Sequence, residues 1–271
     1  MPEGDVLHRT AATLQRWLAG RGVTAATTRA PGLPAGRLVG QRVAGVEASG
    51  KHLLVRFASG DVLHTHLRMS GSWHVYSEGE RWRRPPAQAR LVLTCGERLA
   101  VCFNAPVVEL LLPEGEKVHP ALAGLGPDIL AEDFDADAAR RRARDRPGGL
   151  ALGELLLDQR VVAGVGNIWR CEALFLERRN PWTAQESLTD AELDALLATA
   201  RRLMQASAAR NGGPPLRSGT QPAPRWVYRR HGRPCRRCGT LVAARRQGEQ
   251  ARTAYWCPAC QPPGREREGG S

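Results

Sequence analysis

Four of the seven cysteines stand in two short pairs, Cys235 and Cys238 in "CRRC" and Cys257 and Cys260 in "CPAC", with eighteen residues between the pairs. A C-x2-C pair folds into a tight turn that presents two sulfurs in one direction, and two such turns complete a tetrahedral shell around one ion. The intervening "GTLVAARRQGEQARTAYW" must then leave and return over a short distance, which predicts a two-stranded hairpin carrying Arg245, Arg246 and Arg252. Four thiolates leave no coordination position open to water. The pattern therefore predicts one structural zinc ion and argues against a zinc hydrolase. Cys95, Cys102 and Cys171 lie among apolar residues and read as small buried hydrophobes.

The formal net charge of +12 at pH 7 resides in the same part of the chain. Residues 201–271 hold fifteen arginines against three acids, Glu249, Glu266 and Glu268, whereas the first 200 residues are neutral overall. A localised arginine surplus suits a phosphate backbone, and it also suits a solvated basic tail. Lysine occurs only at Lys51 and Lys117. A lysine kept in an arginine-rich chain points to a task needing a compact amine that can give up its proton, and Lys51 in "SGKHLLVRF" fits such a task. Lys117 in "EGEKVHP" reads as a surface residue.

The chain begins "MPEGD". One reading makes Pro2 and Glu3 a lead-in to a first helix, with Asp5 as its N-cap and Val6, Leu7, Leu14, Trp17 and Leu18 as its apolar positions. The other is chemical. Removal of Met1 exposes a secondary amine beside a carboxylate, and an α-amine titrates near about 7.7–8.0 against about 10.4 for lysine, so far more of it is nucleophilic at neutral pH. Proline's ring amine is more basic than that generic value, so burial or a cationic neighbour has to lower it.

At 271 residues with 42% hydrophobic composition, the chain can build two or three cores. Nothing in it reads as membrane-spanning, and its start lacks the basic and apolar regions of a signal peptide, which predicts a cytoplasmic location. Short strands are expected between residues 41 and 112, in "QRVAGVEA", "HLLVRFA", "DVLHTHL", "SWHVY", "RLVLTC" and "RLAVCFN", with "ASGD" and "CGE" as hairpin turns of a small antiparallel sandwich or barrel. From about residue 131 helical spacing takes over, in "DFDADAARRRARD", "LGELLLDQRVV", "IWRCEALFLERR" and "LTDAELDALLATARRLMQASAAR". The last of these opens with a Thr189-x-x-Glu192 capping box. "NGGPPLRSGTQPAP" reads as a linker or mobile loop, and the final "PPGREREGGS" as disordered.

"LLLDQRVVAGVGNIWRCEALF" places a Gly-rich turn through Gly164 and Gly166 ahead of Asn167 at a helix start, a geometry that aims N–H groups and an amide at an anion. With its flanks it resembles the helix–two-turns–helix element of the formamidopyrimidine-DNA glycosylase and endonuclease VIII family. Members of that family begin M-P-E, carry this element mid-chain and end in a four-cysteine zinc finger, so the resemblance spans nearly the whole chain. "MPEGD" and "FNAPVVELLLPEGEKVHPALAGLGPDIL" look closer to the endonuclease VIII branch, with Val107 and Val108 where the other branch places arginines. "HLRMSG" looks more like the formamidopyrimidine branch.

The resemblance implies an α+β fold. It consists of an N-terminal antiparallel β-sandwich domain with a flanking helix (1–130), a helical DNA-binding domain with the helix–two-turns–helix element (131–224), a zinc-finger β-hairpin (225–261) and a disordered tail (262–271). It implies a bifunctional DNA glycosylase and AP lyase of base excision repair that acts on oxidised bases, with pyrimidines favoured over purines. The alternatives are an oxidised-purine (formamidopyrimidine or 8-oxoguanine) glycosylase of the same family and a damaged-DNA-binding relative without catalysis. A zinc-ribbon transcription or ribosome factor would explain the finger and leave M-P-E, Lys51 and the Asn167 element unexplained.

By the same resemblance, Pro2 attacks C1′ of the damaged nucleoside, Glu3 serves as acid and base, and Lys51 contacts DNA and assists catalysis. Asn167 matches a phosphate-binding asparagine, and Arg252 the catalytic finger arginine that grips phosphates at the lesion and is linked to the second elimination. A flipped nucleotide leaves a gap to be filled, for which "HTHLRMSGSW" offers Met69, with His66 as a further DNA contact. The other reading of Met69 is core filling. The implied partner is damaged duplex DNA at the nucleoid, bound by a monomer with no membrane and no organic cofactor.

Overall fold

Leu7, Ala11, Leu14 and Leu18 recur at helical spacing and form the buried face of α1 (Gly4–Leu18). The computed structural model to which this helix belongs describes residues 2–209 and 225–263. The loop expected at 211–224 lies outside them, as do residues 264–271 of the expected tail. The N-cap of α1 is Glu3, not Asp5: the Glu3 carbonyl accepts from the Val6 and Leu7 amides at 2.9 and 3.2 Å, which puts Asp5 inside the first turn. An acidic residue there complements the helix dipole without capping it.

Among the described residues eight strands follow the helix in two sheets. β2 (Val43–Ser49), β3 (His52–Phe57), β4 (Val62–His66) and β8 (Val107–Leu111) make one antiparallel sheet in the order β2-β3-β4-β8. β1 (Ala25–Thr28), β5 (Ser72–Ser77), β6 (Ala89–Cys95) and β7 (Arg98–Phe103) make the other, in the order β1-β6-β7-β5. Leu53, Val55 and Leu63 from the first sheet and Leu91, Leu93 and Cys102 from the second share one core with α1, so the expected sandwich forms. The hairpin turns at "ASGD" and "CGE" join β3 to β4 and β6 to β7, where the sequence places them. Cys95, Cys102 and Cys171 are buried free thiols.

This unit ends at Gly124, and a second compact unit begins at Leu125. Its helices are α2 (Ala136–Arg144), α3 (Leu152–Leu155), α4 (Asn167–Leu176) and α5 (Asp190–Ala209). Ala139, Leu155, Val162, Trp169, Leu174, Leu196 and Met204 belong to their common core. The capping box of α5 forms in both directions: the Thr189 amide donates to Glu192 Oε2 at 2.8 Å and the Glu192 amide to Thr189 Oγ1 at 3.3 Å. The stretch "LGELLLDQRVV" departs from the expected long helix. α3 stops at Leu155 because Asp158 takes the Arg160 amide on its own carboxylate at 3.0 Å and bends the chain into a turn. The finger hairpin forms as expected, with β9 (Ala243–Gln247) antiparallel to β10 (Arg252–Trp256).

Candidate active site and nucleic-acid interface

In the N-terminal unit, Glu3 is 1% exposed. Although it stands at the N-cap, its carboxylate makes no capping hydrogen bond to α1. Pro2 beside it is half-buried. β2 runs back along the helix: the Gly20 amide donates to the Val43 carbonyl at 2.8 Å and the Val46 amide to Gln15 Oε1 at 2.6 Å. That course carries the β2–β3 turn toward the N-terminal end of α1. The turn is Gly50-Lys51, closed by the Ser49–His52 pair, with φ +59° at Gly50. A positive φ at only the first central residue is the sign pattern of a type II′ hairpin turn, and glycine there leaves Lys51 at a fixed, half-buried place.

His66 ends β4, and the loop after it carries Met69. Leu67 is buried, Arg68 sits at φ +43°, and the Gly71 amide closes the loop on the Leu67 carbonyl at 2.8 Å. A Cβ at Gly71 would lie 2.6 Å from that carbonyl oxygen, so only glycine permits the closure. Met69 is 64% exposed at the crest, which rules out core filling. The Arg68 amide donates to His66 Nδ1 at 3.2 Å, leaving Nε2 to carry the proton of the neutral ring. Burial, reinforced by His64, Arg68 and Lys51, lowers His66 to about 4.

Beneath His66 lies a histidine cluster that the sequence reading missed. The His66 and His52 rings meet edge-on at 4.7 Å, and His52 Nδ1 is 2.8 Å from His64 Nε2. His64 Nδ1 is 2.7 Å from Glu109 Oε1, and His119 Nε2 is 3.1 Å from the same oxygen. Burial, with the neighbouring imidazoles adding to it, lowers His52 to about 3. The period-2 spacing of His64 and His66 in "LHTH" places both on one face of β4, and this was the available signal.

In the second unit, Asn167 is the first residue of α4 and is 9% exposed. Its Nδ2 donates to the Thr253 carbonyl at 2.9 Å, so the amide joins the helix start to β10 beside Arg252. Asn167 and Arg252 are thereby brought to one place. The Arg252 backbone pairs with Gln247 in the finger hairpin, and its side chain makes no hydrogen bond or ion pair among the described residues. Arg245 instead covers the Trp182 ring at 4.1 Å.

Two charged residues of α4 that the sequence reading passed over hold this arrangement. Glu172, 3% exposed, accepts the Trp226, Val227 and Tyr228 amides at 2.8, 3.1 and 2.9 Å. Arg170, fully buried, donates to Gln247 Oε1 at 3.2 Å, and Gln247 Nε2 donates to the Pro181 carbonyl at 2.7 Å. Charged letters inside an apolar helix were their only signal.

The ligand sulfurs of Cys235, Cys238, Cys257 and Cys260 all lie within 4.8 Å of one another, close enough to bind one metal ion. Three of the separations are 3.4, 3.5 and 4.0 Å. A tetrahedron with metal–sulfur bonds of about 2.3 Å has edges of about 3.8 Å, so the spacing fits. Hydrogen bonds from Thr240 lower Cys238 to about 6, while burial and the adjoining sulfurs push Cys260 up to about 12. Four crowded thiols cannot all ionise unaided, and a cation among them removes the conflict.

The sequence model of the formamidopyrimidine-DNA glycosylase N-terminal domain matches residues 1–106, and that of the formamidopyrimidine-DNA glycosylase H2TH domain matches residues 125–215. "Probable endonuclease 8 2" of Streptomyces coelicolor is 40% identical over 275 aligned positions, covering 100% of this chain and 97% of that protein. The chain belongs to the formamidopyrimidine-DNA glycosylase and endonuclease VIII family. Within the family it stands nearer endonuclease VIII. The "DNA-(apurinic or apyrimidinic site) lyase Nei2" of Mycolicibacterium smegmatis is 36% identical over 96% of this chain and 99% of its own length. The family fold is shared with Lactococcus lactis formamidopyrimidine-DNA glycosylase, solved non-covalently bound to DNA containing an AP site, with a TM-score of 0.80 at 22% identity over 96% of this chain and 99% of that one.

Proposed function

We propose that this protein is a bifunctional DNA glycosylase and AP lyase of base excision repair that uses Pro2 as its nucleophile. The observation that carries the reading is the carboxylate of Glu3. It occupies an N-cap position without capping, is removed from solvent, and adjoins the residue whose amine becomes the chain terminus when Met1 is removed. A buried carboxylate next to that amine is suited to proton transfer.

In this mechanism the Pro2 nitrogen attacks C1′ as the bond to the damaged base breaks, and the base leaves with a proton supplied through Glu3. Opening of the sugar gives a cationic iminium between Pro2 and C1′. The iminium acidifies C2′, a base removes that proton, and the electron pair expels the 3′ phosphate. A second elimination expels the 5′ phosphate and completes β/δ-elimination. Lys51 supports the chemistry from the Gly50-Lys51 turn, and Arg252 and Asn167 hold phosphates. Met69 fills the gap left by the extruded nucleotide, with His66 as an additional DNA contact. Zinc is the ion we assign to Cys235, Cys238, Cys257 and Cys260, where it fixes the finger and takes no part in bond breaking. The protein would act on duplex DNA as a cytoplasmic, nucleoid-associated monomer, and among the described residues no helix is long and apolar enough to cross a membrane.

Oxidised pyrimidines are the favoured substrates. Val108 is 6% exposed within the sandwich core, so β8 has no place there for the arginine that the formamidopyrimidine branch carries. The test is excision from duplexes containing dihydrouracil, thymine glycol or 8-oxoguanine by wild type and Glu3→Gln. Base release by the variant should fall by about 10²–10⁴, the usual worth of general acid–base catalysis, while cleavage of a preformed abasic site falls less. Equal base release by both proteins would remove Glu3 from the reaction.

A further inference from the structure

We propose that His64, Glu109 and His119 form a second metal site, separate from the four cysteines, for a borderline divalent ion of the zinc class. The three donors come from three successive parts of the first sheet and its exit. His64 lies on β4, directly opposite Glu109 on β8, so the imidazole and the carboxylate share a face. His119 returns from the chain segment after β8. Both imidazoles converge on one carboxylate oxygen, at 2.7 Å from His64 Nδ1 and 3.1 Å from His119 Nε2, and all three ligand atoms lie within 4.8 Å of one another.

Two imidazole nitrogens and one carboxylate oxygen are a donor set for zinc and its neighbours, and three protein ligands leave a fourth position for water. The surroundings are also those of a metal site. The other nitrogen of His64 is held by His52 at 2.8 Å, the kind of outer hydrogen bond that orients a metal-bound imidazole. His64 is 1% exposed, whereas Glu109 and His119 are 40% and 17% exposed, so an ion reaches the buried donor from the side of the other two.

Proton bookkeeping closes without an outside reagent. The nitrogens facing Glu109 must present lone pairs to the ion. In His64 the proton moves from Nδ1 to Nε2 and is then donated to His52 Nδ1, whose own proton moves to His52 Nε2, so both neutral rings change tautomer and no proton is lost. In His119 the proton moves from Nε2 to Nδ1, displacing the Ala121 amide that donates there at 3.2 Å. Binding therefore tightens the segment after β8 onto the sheet and reshapes one exposed turn.

The test uses the full chain and needs no DNA. Protein equilibrated with excess zinc and then desalted should carry two ions per chain by elemental analysis. Glu109→Gln and His119→Gln, both at partly exposed positions, should each carry one and keep the wild-type circular dichroism spectrum. Cobalt titration separates the sites, because only the cysteine site gives thiolate charge-transfer absorption. The second equivalent should add weaker d–d bands alone, with apparent affinity reduced about tenfold or more in either variant. One ion per wild-type chain, or two retained in both variants, would overturn the proposal.

Discussion

Met69 and Glu3 show what single residues contribute to the account. Met69 exposes 64% of its surface at the crest of a loop whose neighbours on both sides are anchored, Leu67 by burial and Gly71 by its hydrogen bond. A large apolar side chain in that position gains nothing from folding. Met69→Ala should leave thermal stability within about 0.5 kcal/mol of wild type, as for other surface changes, while lowering base excision from duplex DNA. Calorimetry beside an excision assay checks both halves, and wild-type excision would remove Met69 from the proposed role. Glu3 is the opposite case, a buried carboxylate at the N-cap that makes no capping hydrogen bond and whose proposed work is proton transfer.

At the scale of elements, α4 and the start of the finger are joined by Glu172, which satisfies three consecutive backbone amides. Glu172→Ala leaves all three without their acceptor, at a cost of about 1–3 kcal/mol for the buried Val227 amide and less for the two half-buried ones. Chemical denaturation of the variant should show a loss of about 2 kcal/mol or more, and an unchanged midpoint would refute the clamp.

The second sheet carries a pH dependence through His74, which burial and then Arg84 and Arg83 lower to about 4. Its ring stacks on Tyr76 and meets Phe103 edge-on. The unfolded chain takes up this proton below about pH 6.5 while the folded chain does not, so the unfolded state binds more protons and stability rises with pH. The contribution is fully present above about 6.5 and is lost as pH falls toward 4, at up to about 1.4 kcal/mol per pH unit. His74→Gln should remove this share of the slope between pH 6.5 and 4, measured by urea unfolding, while His52 and His66, lowered in the same direction, keep theirs.

Most elements are legible in the sequence because one face is buried and the other is not. β6 alternates buried and half-buried along its length, and α1 repeats its buried leucines at helical spacing. β1 is not legible, since "AATT" holds no large apolar residue to mark a face. β8 is missed as a strand because "VVELL", set off from the expected "RLAVCFN" by only Ala105-Pro106, shows no clear alternation of apolar and polar residues. The Glu172 clamp and the His64–Glu109 contact are hidden for a different reason. Each depends on partners 45 to 56 positions away, which no local pattern encodes.

At the scale of the whole molecule, the proposed work is divided between two compact units. The first holds the terminal amine position, Glu3, Lys51 and the Met69 loop. The second holds Asn167 and Arg252 together and carries the four-cysteine cluster. The central claim concerns one bond, the one between the Pro2 nitrogen and C1′ of the lesion. Borohydride reduces an iminium to a stable amine, so trapping on a duplex with an abasic site, followed by mass mapping of the attached peptide, reads that bond directly. The account predicts a crosslink at Pro2 on a chain that has lost Met1. A crosslink at Lys51, or none while the protein still binds the DNA, would contradict it.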